Sequence, residues 1–148
     1  MNQLTKFKIW VLEDNDTDFE LLEMAIRETG LSVEVQRFTC GEQLVEQLNC
    51  PLRQTPKLVY LDLRMPGTGG MEVLQMLSKL EAFQFVPKLV FSTSANPKEV
   101  AKVYQLGGNA FHVKIVETPA MLELLKRMLN YWLLSVESVE FTVHRSER

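Results

Sequence analysis

The stretch LVYLDLRMPGTGG, residues 58–70, decides the fold of this chain. Its first half is an apolar run of the kind found in strands buried within parallel sheets, and it contains one carboxylate, Asp62. Pro66 and closely spaced glycines follow, which predicts a turn, and a segment with helical periodicity starts at Met71. The stretch therefore predicts a strand, a turn and a helix, with an acidic side chain where the strand ends.

The same strand-and-helix unit recurs on both sides of this stretch. Apolar or alternating runs predict strands at residues 7–12, 33–38, 58–63, 88–91 and 110–113. Helical spacing and stop signals predict helices at residues 17–29, 41–49, 71–83, 96–106 and 119–134. The strands are too apolar to have a face in water, so the sheet is expected to be covered on both sides. We therefore predict an α/β fold of the (βα)₅ type, a doubly wound parallel sheet of five strands.

Composition excludes several classes of protein. The chain has 148 residues, enough for about one domain, and a formal net charge of −3, which argues against a nucleic-acid or anionic-membrane surface as its partner. No apolar run approaches the roughly 20 residues of a membrane span, and no secretion signal is readable, so we expect a cytoplasmic protein. Cys40 and Cys50 are expected to be reduced, and two histidines are too few for a structural zinc site.

Polar side chains stand at the carboxyl ends of the predicted strands, where open α/β sheets bind their ligands. These positions are Glu13, Asp14, Asp62, Ser92 and Lys114. Each has an ordinary explanation when taken alone, except that an unpaired carboxylate inside LVYLDL would be costly. Together they suggest a site, because clustered carboxylates raise one another's pKa unless a cation lies among them. A hard ion such as Mg²⁺ suits these oxygen ligands, and it would assist phosphoryl transfer to a carboxylate nucleophile.

These residues resemble the receiver domain of two-component response regulators, which has a flavodoxin-like fold. The resemblance extends from about residue 7 to residue 134. It rests on the acidic pair Glu13 and Asp14, on Asp62 within LDLRMPG, and on Ser92, Phe111 and Lys114 around the segment LGGNAF. The EDN start, the long stretch between strands two and three, and YWLLSV at residues 131–136 further resemble the single-domain regulators paired with bacterial phytochrome kinases.

The resemblance implies a role for each matched position. Asp62 would accept the phosphoryl group from a sensor histidine kinase, assisted by Ser92 and Lys114, and Phe111 would be the switch aromatic. Mg²⁺ would be held directly by Asp14 and Asp62, through water by Glu13, and by the backbone carbonyl of Arg64. The Arg64 side chain could bind the phosphoryl group or simply be solvated. The protein would then be a signalling switch rather than an enzyme, catalysing only its own phosphorylation and dephosphorylation.

The sequence departs from the family pattern at three positions. Ser92 replaces the more common threonine but keeps the hydroxyl, and Gly69 replaces a residue that is often polar. Ile115 stands where a proline normally follows the lysine and forms a cis bond. A cis bond before isoleucine costs roughly 2.5–4 kcal/mol, so we predict a trans Lys114–Ile115 bond, with Lys114 still able to reach the phosphoryl group.

The carboxyl-terminal part suggests how the protein meets its partners. We expect a receiver domain over residues 1–134 and an extension over residues 135–148, with no output domain. Met121, Leu125, Met128 and Trp132 form one apolar face of the last helix, which either covers the sheet or forms a partner surface. We expect a homodimer that uses this helix and strand five, joined by residues 139–144, which alternate like an edge strand.

Two other functions remain open. The chain could be a binding module that keeps the receiver fold but works without phosphorylation, although its intact acidic pair, Asp62 and Lys114 count against this. It could also be a phosphatase or phosphotransferase with Asp62 as nucleophile. That chemistry needs a second carboxylate two residues later, where Arg64 stands.

Overall fold

One parallel sheet of five strands organises the chain. The computed structural model describes residues 6–51 and 54–139. The strands are β1 (Phe7–Leu12), β2 (Val33–Phe38), β3 (Leu58–Asp62), β4 (Lys88–Ser92) and β5 (Ala110–Val113). Their order is β2-β1-β3-β4-β5, and all neighbouring strands are parallel. The direction of winding reverses between β1 and β3, which opens a crevice at their carboxyl ends.

Five helices connect the strands. They are α1 (Asp16–Thr29), α2 (Gly41–Asn49), α3 (Gly70–Ser78), α4 (Pro97–Gln105) and α5 (Thr118–Asn130). Two of them begin at asparagine caps: the Asn15 side chain accepts a hydrogen bond from the backbone N–H of Asp18 at 2.9 Å, and Asn96 accepts one from Lys98 at 2.9 Å. These two helices therefore start within a few residues of the ends of β1 and β4, where polar residues lie.

A separate hydrophobic core lies on each face of the sheet. Alternate residues of β1 show the division, since Ile9 belongs to one core and Trp10 to the other. The Ile9 core includes buried residues of α1 and α5, and the Trp10 core includes buried residues of α2, α3 and α4. This arrangement confirms the predicted doubly wound (βα)₅ fold. It also explains why β3 and β4 are so apolar, because both faces of these central strands are buried.

Helices α3 and α5 end earlier than predicted. After α3 the backbone becomes extended at Leu80, and a short 3₁₀ turn, Glu81–Phe83, follows. This break places the fully buried Phe83 ring 5.2 Å from the ring of Trp10. After α5 the chain widens into a π-helical turn, Tyr131–Ser135, closed by a hydrogen bond from the Val136 N–H to the Tyr131 carbonyl at 3.0 Å. Helical periodicity in the sequence continues through both points and does not mark them.

The apolar face of α5 packs mainly against the sheet. Met121, Leu125 and Met128 are buried in the core, and Trp132 is partly buried against it. These residues therefore cover the sheet, which was one of the two interpretations of the pattern. Of the predicted edge segment at residues 139–144, all but Val139 lie outside the described residues. Among the described residues, no helix is long and apolar enough to cross a membrane, and both cysteines are free.

Candidate functional site

The predicted polar residues converge at the carboxyl edge of the sheet. Glu13 and Asp14 follow β1, Asp62 ends β3, Ser92 ends β4, and Lys114 follows β5. Backbone hydrogen bonds extend the sheet just past these ends: the N–H of Glu13 bonds to the carbonyl of Phe38, and that of Lys114 bonds to the carbonyl of Ser92 at 2.7 Å. The parallel sheet thus brings together side chains that are far apart in sequence.

Lys114 links the acidic groups. Its Nζ lies 2.9 Å from Glu13 Oε1, 2.8 Å from Asp18 Oδ2 and 3.2 Å from Asp62 Oδ2. Burial lowers the pKa of the ammonium, but the hydrogen bonds to Asp18 and Glu13 outweigh burial and hold this pKa above its ordinary value. The side chain therefore remains a cation and points at Asp62, as predicted.

The Lys114–Ile115 bond also agrees with its prediction. No peptide bond within the described residues is cis. The N–H of Ile115, which proline would lack, lies 3.4 Å from Met121 Sδ on α5. The departure from proline therefore leaves Lys114 in contact with Asp62.

Glu13 is the most deeply buried carboxyl group of the site, with 1% of its surface exposed. Burial, together with the neighbouring Asp62, raises its pKa from 4.5 to about 8, although Lys114 acts in the opposite direction. A second cation nearby, in addition to Lys114, would stabilise the charged form of this carboxylate. It is positioned by the end of β1, since its own N–H continues the pairing with β2.

Asp62 is held from both sides. Its Oδ1 accepts a hydrogen bond from the backbone N–H of Arg64 at 3.2 Å, and its Oδ2 faces Lys114. Behind it the first turn of α3 comes so close that a Cβ at Gly70 would overlap the Asp62 carbonyl oxygen. The glycines after the strand thus allow the helix to begin directly against the residue that carries the carboxylate.

Ser92 and Phe111 lie around Asp62 on neighbouring strands. Ser92 is fully buried. Its Oγ accepts a weak hydrogen bond from the backbone N–H of Ser94, with 3.4 Å between oxygen and nitrogen. Phe111 is half-buried against the Trp10 core, and its N–H donates to the hydroxyl of Tyr104 on α4 at 3.2 Å. Phe111 is therefore linked to α4 through its backbone.

The Arg64 side chain is directed to α4. Its Nη2 lies 2.9 Å from both carboxylate oxygens of Glu99 and 3.3 Å from Ser94 Oγ. The predicted alternatives were a phosphoryl ligand or a solvated arginine, and in this structure the guanidinium is paired with a carboxylate instead. The pairing joins the loop after β3 to the first turn of α4.

The carboxylates are suited to a small divalent cation. Glu13, Asp14 and Asp62 each present an oxygen atom, and these oxygens all lie within 4.8 Å of one another. Oxygen donors of this kind are typical of Mg²⁺ and Mn²⁺ sites. The buried Glu13, whose charged form is disfavoured in the protein alone, is a further reason why a cation fits here.

Comparison with known proteins identifies the family. Residues 9–126 match the model of the response regulator receiver domain. The chain belongs to this family. It is therefore a receiver domain of the two-component response regulators, as its residues predicted.

Solved structures of the family resemble the chain over nearly its whole length. The phosphorylated cyanobacterial phytochrome response regulator RcpA is 25% identical, with a TM-score of 0.84 over 90% of this chain and 99% of that one. The Mn²⁺-bound form of response regulator Rcp1 is 24% identical, with a TM-score of 0.81 over 90% and 99% of the two chains. These similarities confirm the predicted likeness to phytochrome response regulators.

A curated relative shows a similar degree of identity. The probable methanogenesis regulatory protein FilR2 of Methanothrix harundinacea is 25% identical over 130 residues, which cover 86% of this chain and 84% of that protein. The similarity thus extends over most of both chains.

Asp18 is the site residue that sequence reasoning missed. It lies in the first turn of α1, and its carboxylate makes the shortest of the three contacts to the Lys114 ammonium. The available signal was its position four residues, or about one helical turn, after Asp14 and three residues after the cap Asn15. That spacing places a side chain near the strand ends, but it does not show which way the side chain points.

Proposed function

We propose that this receiver domain accepts a phosphoryl group on Asp62 from a sensor histidine kinase, in a Mg²⁺-dependent reaction, and signals through protein–protein contacts. One observation carries the proposal: at the carboxyl edge of the sheet the Asp62 carboxylate lies within 4.8 Å of oxygens of Glu13 and Asp14 and 3.2 Å from the Lys114 ammonium. The similar regulator RcpA has been crystallised in a phosphorylated form and Rcp1 in a Mn²⁺-bound form, and both facts support the proposal.

The transfer needs little chemistry from the protein beyond positioning and charge. A carboxylate oxygen of Asp62 attacks phosphorus, the bond from phosphorus to the kinase imidazole breaks, and the imidazole nitrogen keeps the electron pair. Lys114 donates a hydrogen bond to the incoming phosphoryl oxygens, and Ser92 offers a hydroxyl. Mg²⁺, held by Asp14, Asp62, the Arg64 carbonyl and, through water, Glu13, would neutralise charge that accumulates during transfer.

The proposed switch follows from the contacts of the neighbouring strands. A phosphoryl group on Asp62 attracts the Ser92 hydroxyl, and β4 then carries the change towards β5 and Phe111. Because the Phe111 N–H is bonded to Tyr104, a movement of Phe111 changes the exposed face of α4. The exposed face of α4 would supply the output contact. We take the receiver domain as residues 1–134 and the carboxyl-terminal extension as residues 135–148.

The proposed partners are a kinase of the phytochrome type and a second copy of the chain. The homodimer would use the edge strand β5, where Val113 is exposed, and α5 with the π-helical turn that follows it, where Tyr131 and Leu134 are exposed. We propose a cytoplasmic protein that binds neither nucleic acid nor membrane and turns over no substrate other than its own phosphoryl group.

Removing the nucleophile tests the proposal. We expect Asp62→Asn to abolish Mg²⁺-dependent phosphorylation by a small acyl phosphate and to keep the fold, because the amide has the shape of the carboxylate but is not nucleophilic. Intact-mass spectrometry measures the adduct. Asp16→Asn is the matched control, since Asp16 is an exposed aspartate that pairs with Arg37 and does not contact Lys114.

The outcomes separate the possible functions. A single stable phosphate on the wild type and on Asp16→Asn, absent from Asp62→Asn, supports the proposal. A folded wild-type protein that takes up no phosphate in the presence of Mg²⁺ favours the phosphorylation-independent binding module. Multiple turnover of the phosphodonor without a lasting adduct indicates a phosphatase.

A further inference from the structure

The Lys114 ammonium has three N–H donors, and it has three carboxyl-group acceptors. An ammonium group carries three N–H donors, and three carboxylates lie within hydrogen-bond distance of Nζ. Glu13 and Asp62 are site residues by their match to the receiver family. The third acceptor, Asp18, comes from α1 and lies closest, at 2.8 Å.

We propose that Asp18 is a positioning residue for Lys114, holding the ammonium beside Asp62 when the other carboxylates are engaged elsewhere. The inference rests on the proposed phosphoryl transfer. Among the described residues, the carboxylates grouped closely enough to share a metal ion are Glu13, Asp14 and Asp62, and Asp18 is not one of them. A cation held by that cluster would compete with Lys114 for the oxygens of Glu13 and Asp62, and it would leave the Asp18 carboxylate available to Lys114.

The backbone around Asp18 is fixed well enough for this role. Its N–H bonds to the cap Asn15, so the carboxylate projects from an ordered first helical turn. Helix α1 also packs against α5, which follows Lys114 in the chain. Both partners of the ion pair are thus attached to elements that share one core, whereas the lysine stem alone would be flexible.

The experiment compares Asp18→Asn with Asp16→Asn. Both variants remove one carboxylate from the same helical turn, but Asp16 pairs with Arg37. One measurement is the rate of phosphorylation by a small acyl phosphate at saturating Mg²⁺. Another, independent of phosphorylation, is the ¹⁵N NMR signal of the Lys114 ammonium, which is visible only while the protons are held by acceptors. Urea unfolding checks that each variant is folded, and Asp18→Ser replaces Asp18→Asn if the latter is not.

We expect Asp18→Asn to slow phosphorylation about fivefold and to broaden the Lys114 signal, because one charge-assisted hydrogen bond is weakened. Asp16→Asn should stay within about twofold of the wild type and keep the signal, since it leaves that hydrogen bond intact. In a Lys114→Gln background, Asp18→Asn should have no further effect on the rate, because the two residues act as a pair. That result supports the inference and distinguishes positioning from a general loss of helix stability.

Two results would overturn the inference. One is an Asp18→Asn variant that matches Asp16→Asn in both rate and signal. The other is an effect of Asp18→Asn that persists unchanged when Lys114 is glutamine. Failure of the proposed function is visible separately, because the wild type would then take up no phosphate while the Lys114 signal still responded to Asp18→Asn.

Discussion

Gly70 offers a sharp test of how closely α3 must approach the phosphoacceptor strand. A Cβ at this position would overlap the Asp62 carbonyl oxygen and lie 2.9 Å from Leu63 Cα. Both atoms belong to backbone within or directly after β3, so no flexible side chain can move aside. Alanine therefore forces the first turn of α3 away from the strand, and it displaces the residue that carries the carboxylate.

The size of the effect follows from the kind of overlap. Overpacking a core typically costs 1–3 kcal/mol, and because the obstacle here is backbone, we expect Gly70→Ala to lower the free energy of unfolding by about 3 kcal/mol or more. Gly69→Ala is the matched control, since its Cβ would lie an ordinary 3.5 Å from the Leu63 carbonyl oxygen. We expect that variant to change stability by less than about 1 kcal/mol.

Urea unfolding of the two variants and the wild type measures the difference directly, with phosphorylation by a small acyl phosphate as a second readout. We expect Gly70→Ala to be much the less stable and to be phosphorylated more slowly. Equal stability of Gly70→Ala and Gly69→Ala would refute the reasoning, because it would show that α3 can move off the strand at no cost.

Two further predictions concern Glu13 and the oligomeric state. The pKa of Glu13 is raised from 4.5 to about 8. Between these two pH values the native state therefore keeps a proton on Glu13 that the unfolded state has lost. The free energy of unfolding of the metal-free protein should therefore fall as the pH rises from about 4.5 towards about 8. Glu13→Gln should remove this pH dependence. Urea unfolding at several pH values with a chelator present measures this, and a flat wild-type profile would contradict it. Light scattering at high micromolar concentration should show a homodimer, because β5 is an edge strand of the described sheet and has exposed apolar neighbours. A monomer with and without a phosphoryl analogue would exclude the homodimer.

The sequence predicted the sheet well because its signals are local. Five apolar runs gave five strands, and parallel pairing then brought Glu13, Asp62 and Lys114 to one edge without further information. Turn residues and helix caps were equally readable, since Asn96 and Pro97 mark the start of α4.

The missed features depend on side-chain direction across the fold. Asp18 reaches Lys114 because of the rotation of α1 about its axis, and Arg64 meets Glu99 across 35 residues of sequence. Neither is encoded in local periodicity. The extended backbone at Leu80 likewise places Phe83 against Trp10, which is a tertiary contact rather than a helix stop signal.

The hydrogen bond from Lys114 to Glu13 joins residues 101 positions apart, and the one to Asp62 joins residues 52 positions apart. The site needs the chain from Glu13 to Lys114. An incompletely synthesised chain that lacks β5 and the residues after it therefore has the Asp62 carboxylate but not the Lys114 ammonium. β5 is also the four-residue strand at one edge of the sheet. Edge elements open locally at lower free energy than the centre of a domain. Detachment of this one strand would remove Lys114 while β1 and β3 stay paired, so the capacity to receive a signal would be lost before the fold is.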